Sequence, residues 1–151
     1  MLHNCYVLHG EGIYGKNLTK AIIENTGDLM AYNEGYVTKD KIRKMEIDFL
    51  VDTGAAMICL PPSIINSLGL RPDHKRMVNT ANGKVERTVY SPVKIHIFDR
   101  MSNIDVMDIP EETPPLLGYL ALESLDLYPN PTKQILEGNP KYDGKMVMDL
   151  F

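Results

Sequence analysis

The chain has 151 residues, 44% hydrophobic and 24% charged, with a formal net charge of −4 and a pI of ≈ 5.5. That length suits one domain with a real core, and a two-lobed enzyme would be a tight fit. The balance excludes global disorder and the basic footprint of a nucleic-acid binder, and it is not acidic enough for a solvating tail. Cys5 and Cys59 lie far apart and offer no disulfide framework, which points to a reducing compartment. No apolar run approaches a membrane span, the first residues lack the regions of a signal peptide, and the chain reads as cytoplasmic.

Residues 1–15 read as an N-terminal extension carrying two decoys. Gly10-Glu11-Gly12-Ile13-Tyr14-Gly15 spells a dinucleotide-binding string. That fingerprint needs a βαβ unit behind it, and the downstream pattern is one of strands and hairpins. His3, Cys5 and His9 have ligand-capable atoms without a fourth partner, so no metal is expected. Asn17-Leu18-Thr19 is a chance sequon in a reducing compartment. Over residues 16–25 periodicity does not decide between helix and strand, and 18–24 and 29–37 are candidate strands of a hairpin or terminal sheet.

From Met45 the pattern is clearer. Met45, Ile47, Phe49 and Val51 share one face of a strand, and Asp52 emerges on the other before the Gly54 turn. A carboxylate at the end of an apolar strand is poorly solvated and rigidly held, the setting for acid–base work near neutral pH. Residues 56–60 form a second buried strand with Cys59 as a buried free thiol. Pro61-Pro62 stops it, and Pro62 opens a short helix over 63–68 with Ile64, Ile65 and Leu68 inward and Gly69 at its end. Residues 77–81 and 84–90 flank Asn82-Gly83, the signal of a type I′ hairpin. Its arms are polar (Asn79, Thr80, Lys84, Glu86, Arg87, Thr88), so the hairpin projects from the body.

After Ser91-Pro92, residues 93–98 alternate as a half-buried strand in which His96 is a surface or half-buried histidine. Another strand covers 104–109. A Pro/Glu-rich break at 110–115 comes next, with Glu111-Glu112 a solvated loop. Leu116-Leu117-Gly118 then leads into a helix over 119–125. Pro129 and Pro131 bound a turn, 132–136 is a final strand, and 137–151 is a loosely held tail.

Several of these elements, in this order and spacing, resemble the retropepsin-like aspartic peptidases, specifically the small prokaryotic single-domain branch. The resemblance rests on Leu50-Val51-Asp52-Thr53-Gly54-Ala55, Leu60-Pro61 with Leu68-Gly69-Leu70, Ala81-Asn82-Gly83, and Leu116-Leu117-Gly118 with Leu122-Glu123. It covers residues 16–136. It implies an all-β acid-protease half-barrel with one or two short helices, working as a homodimer. In that family one Asp-Thr-Gly comes from each protomer, so Asp52 would be half of a catalytic centre acting on an extended peptide or protein substrate.

The resemblance also assigns roles around Asp52. Thr53 would reach across to the partner loop, and Gly54 would let backbone N–H groups approach the carboxylates. Ala55 stands where many relatives carry serine, which implies a less acidic optimum. Ala81, Asn82 and Gly83 would form the flap, and Leu116, Leu117 and Gly118 would pack under the catalytic loop. Tyr119-Leu120 departs from the basic or polar and acidic pair usual at this point in viral relatives. No metal or other cofactor, nucleic acid or membrane is implied. The competing expectation is a catalytically weak or inactive dimeric peptide-binding module on the same fold, and a third is a nucleotide binder built on the N-terminal glycines.

Overall fold

The computed structural model describes residues 18–148 and 150, together with the backbone of 8–9 and 12–13. The latter pair antiparallel as β1 (Leu8–His9) and β2 (Gly12–Ile13). Most of the Gly10-to-Gly15 string, the side chains of His3, Cys5 and His9, and Asn17 lie outside the described residues.

The ambiguity over the next segment resolves to a strand, β3 (Leu18–Asn25). The helix α1 (Thr26–Asn33) comes after it, where the sequence predicts a strand over 29–37. The reason is local capping: the Asn25 side chain accepts from the Asp28 amide at 3.0 Å, and its Nδ2 donates to the Leu68 carbonyl at 2.8 Å. An asparagine cap that also reaches a distant carbonyl outweighs the β propensity of this short run. None of the residues of α1 is buried, so no apolar stripe announces the helix.

β4 (Lys44–Val51) alternates as expected until Leu50, which is also buried, because the strand end runs into the middle of the sheet. β5 (Ile58–Leu60) and α2 (Pro62–Ser67) are next in the chain. Ile65 and Leu68 of the expected inward stripe are buried and Ile64 packs partly against the core. The N-terminus of α2 receives the Glu111 carboxylate, which accepts from the Ser63 amide at 3.1 Å; the Ser63 hydroxyl first, and then this amide, hold it below the usual carboxylate range. Glu111 is exposed as expected, yet it has this specific partner.

The hairpin is longer than predicted, with β6 (Pro72–Thr80) against β7 (Gly83–Ile97). Thr80 pairs with Gly83, so the two loop residues are Ala81 and Asn82. Neither has positive φ, whereas Gly83 sits at φ 106°. The expected type I′ turn on Asn82-Gly83 is therefore replaced by a turn that ends on a positive-φ glycine, as in hairpins with a glycine bulge. Thr80 Oγ1 secures it, accepting from the Asn82 amide and donating to the Gly83 carbonyl. Ser91-Pro92 does not end β7. The register shifts between Tyr90 and Val93, which places the proline at a bulge, where no ladder hydrogen bond is lost.

β8 (Arg100–Asp108), β9 (Leu116–Leu117), α3 (Tyr119–Ser124), β10 (Leu127–Asn130) and β11 (Ile135–Gly138) complete the described strands and helices. Pro129 lies inside β10, so the expected turn begins two residues beyond it, at Pro131. The principal sheet runs β3-β4-β9-β5-β8-β7-β6, and β3 also pairs with β7, which bends the sheet back on itself. The described residues are thus mostly strand, with three short α-helices where the sequence predicts one or two. Phe49, Ile58, Leu60, Ile95 and Leu117 are fully buried in one core cluster. Truncating Phe49 to alanine would cost about 3–5 kcal/mol.

Arg100 is an unpredicted element of the core rim. It is only 6% exposed and donates to the carbonyls of Leu125, Asp126 and Gly144. Part of the segment expected to be loosely held is therefore tied back to the domain, and the Val147 amide adds a bond to Asp126.

Candidate active site

Asp52 comes directly after β4. Its amide donates to the Leu117 carbonyl at 3.0 Å, and its Oδ1 accepts from the Gly54 amide at 2.8 Å. The Ala55 amide closes the turn onto the Asp52 carbonyl at 3.1 Å. The carboxylate is thus held by backbone groups of its own loop, and it is half-exposed, more solvated than the sequence predicts.

The loop is clasped from the other side by the Leu116-Leu117-Gly118 segment. Leu116 and Leu117 run parallel to Leu50 and Val51 and antiparallel to Cys59 and Ile58. Beyond them, the amides of Gly118, Tyr119 and Leu120 donate to the carbonyls of Met57, Ala55 and Ala56. A Cβ on Gly118 would stand 2.5 Å from the Met57 carbonyl oxygen and 2.6 Å from that of Ala55. Only glycine admits this approach, so residue 118 sets how close α3 comes to the loop.

Asp52, Gly54 and Ala55 open onto a cleft of ≈ 530 Å³. Its far side is the end of the β6 arm, Val78, Asn79 and Thr80, together with Arg87 of β7. Met107, Asp108 and Ile109 close one wall. The tip residues Ala81, Asn82 and Gly83 are exposed and stand outside this lining. Thr53 is half-buried on the loop.

Cys59 also lines the cleft, is 5% exposed, and is a free thiol. Burial and then the neighbouring Asp52 charge push its pKa up to about 12, so it is a neutral wall residue. His96 is remote from Asp52 on the chain's ladder and contacts Glu24 at 2.5 Å, in keeping with a half-buried histidine. Arg87, Asp108 and Val78 were not singled out by the motifs. For Val78 and Arg87 the signal is register: counting from the hairpin turn, Val78, Val85, Arg87 and Val89 fall on one face.

A family model described as "gag-polyprotein putative aspartyl protease" matches residues 39–124, from before β4 to the end of α3. The chain belongs to this family. The match spans both the Asp52 loop and the segment that clasps it. Among solved structures, EIAV protease complexed with the inhibitor HBY-793 is 19% identical with a TM-score of 0.49, over 72% of this chain and 86% of that one. The solution structure of Simian Foamy Virus (mac) protease is 17% identical with a TM-score of 0.45, over 70% of this chain and 91% of that one. No curated protein matches the chain. Among the described residues no helix is long and apolar enough to cross a membrane.

Proposed function

We propose that the protein is an aspartic endopeptidase whose catalytic centre is made of two Asp52 carboxyls, one from each protomer of a homodimer. The observation that carries this reading is the placement of Asp52 at the mouth of a cleft, on a loop clasped by a Gly118-dependent backbone contact. A single Asp-Thr-Gly per chain supports the half-site, and closed two-fold pairing is the commonest oligomeric arrangement.

Two like charges at close range cannot both ionise comfortably, so the pair shares a proton; aspartic proteases are the standard instance of this effect. One carboxylate takes a proton from a bound water, which attacks the peptide carbonyl, and the protonated partner donates to the developing oxyanion. The pair titrates as one unit. No metal or other cofactor takes part in this scheme. The Gly54 amide holds Asp52 in place, Thr53 contacts the partner loop, and Gly118 sets the loop's height.

The β6–β7 hairpin, with Ala81, Asn82 and Gly83 at its tip, covers an extended peptide or protein substrate and adds strand-like hydrogen bonds to it. The test is cleavage of an unbiased peptide library by the wild type and by Asp52→Asn. Loss of cleavage with an unchanged circular dichroism spectrum and mass in solution supports the reading. Peptide binding without cleavage by the wild type would make the protein a binding module instead.

A further inference from the structure

The cleft over Asp52 contains a cation that this reaction does not use. Arg87 lines the cleft and is half-buried. In the β6–β7 ladder it stands directly opposite Arg76, with Val78 opposite Val85 and His74 opposite Val89. Cross-strand partners share a face, and Val89 is 1% exposed, so the Val89 end of the β7 face turns toward the body of the protein.

Like charges directly opposite one another weaken a ladder. Arg76 is partly committed, since its Nε donates to His74 at 3.2 Å. Arg87 is not: among the described residues no carboxylate lies within 4.0 Å of its guanidinium. Asp108, in the same cleft, has its Oδ1 engaged by the Thr88 amide at 2.9 Å.

We infer that Arg87 is a specificity-determining residue that receives a carboxylate side chain, Asp or Glu, from the bound peptide. This rests on the peptidase reading in that the same cleft holds the peptide. A guanidinium offers a planar fork that fits a carboxylate through two hydrogen bonds. Val78, Met107 and Ile109 form apolar walls, against which such a pair is screened less than in water. Asp52 and Asp108 repel a carboxylate from the rest of the cleft, which confines acceptance to the position beside Arg87. A lysine there would meet the Arg87 guanidinium.

The test reads binding without turnover, in the Asp52→Asn protein. The probes are fluorescein-labelled decapeptides that differ only by Glu, Gln or Lys at one central position, each position being scanned in turn. At one position the Glu peptide binds about tenfold tighter than the Gln peptide. Added salt narrows the gap. Adding Arg87→Gln removes it, and adding Arg87→Glu makes Lys the preferred residue. The Tm of Arg87→Gln stays level or rises, because a like-charge pair is relieved. Equal affinity for Glu and Gln everywhere, a preference that survives Arg87→Gln, or no binding of any peptide overturns the assignment. So does a lowered Tm with uniform loss of affinity, which would make Arg87 a structural residue. A retained Glu preference in a protein whose wild type cleaves none of these peptides overturns the peptidase reading alone.

Discussion

The amide of Asp52 donates to the carbonyl of Leu117 at 3.0 Å, so the loop that carries the carboxylate and the segment that clasps it are fixed to each other through backbone atoms. Side-chain changes around the site therefore act through how closely these two backbones approach. At Gly118 this approach leaves no room for a side chain.

Replacing Gly118 by alanine forces a methyl group to 2.5 Å from the Met57 carbonyl oxygen, and neither neighbour is a flexible side chain. Overpacking of this kind costs about 2–3 kcal/mol. Urea unfolding of Gly118→Ala should show that loss, with cleavage reduced further than the unfolded fraction explains. A variant as stable and active as the wild type would show that the clasp is not needed.

A second prediction concerns acid stability at the other end of the domain. The Asp28 carboxylate receives Arg43 Nε at 2.8 Å and Nη2 at 2.9 Å, and the Arg43 guanidinium holds its carboxyl below the usual range, against the opposing effect of burial. A carboxyl with a depressed folded pKa stabilises fully above its unfolded value, near 3.8, and that contribution is lost as pH falls through the folded value. Asp28→Asn should lose about 1–2 kcal/mol at neutral pH, since Arg43 is half-exposed. Its stability should then fall less steeply than the wild type's below about pH 4. Parallel stability curves for the two proteins would contradict this.

Thiol chemistry supplies a third. Cys59 lines the cleft, yet burial and Asp52 push its pKa up to about 12. Peptide-resolved mass spectrometry after iodoacetamide treatment at neutral pH should find Cys59 unmodified in the native protein and modified after denaturation. Rapid native labelling would show a more open wall than the one described.

Ala55 yields the fourth. A serine hydroxyl at this position of the loop donates to the carboxylate and favours its charged form. The optimum of the pH–rate profile of Ala55→Ser should move down by about one unit. An optimum that rises, or stays, removes the proposed link between Ala55 and a less acidic working range.

The Asp52 loop was legible in the sequence because its signals are local: a period-two strand, a carboxylate and a glycine. The same holds for α2, with its proline start and apolar stripe, and for α3, which opens directly after Gly118. The features that escaped the sequence depend on contacts between distant segments. Helix α1 buries none of its residues and is held by Asn25 bonding to Leu68 and Asp28 bonding to Arg43. Ser91-Pro92 reads as a break, yet pairing on both sides carries β7 through it. Arg100 lies between the strands predicted at 93–98 and 104–109, and only the distant carbonyls of Leu125, Asp126 and Gly144 bury it. In the hairpin the tip was visible but its register was not, and register is what turns Arg87 toward Asp52.

The central claim is that two copies of Asp52 make one site, and subunit mixing tests it most directly. Wild type and Asp52→Asn are unfolded together in equal amounts and refolded. Cleavage is then compared with wild type alone at the same total concentration. If both carboxyls must come from separate chains, random pairing leaves about one quarter of the activity. Half of the activity, the value for chains that act independently, would contradict the account.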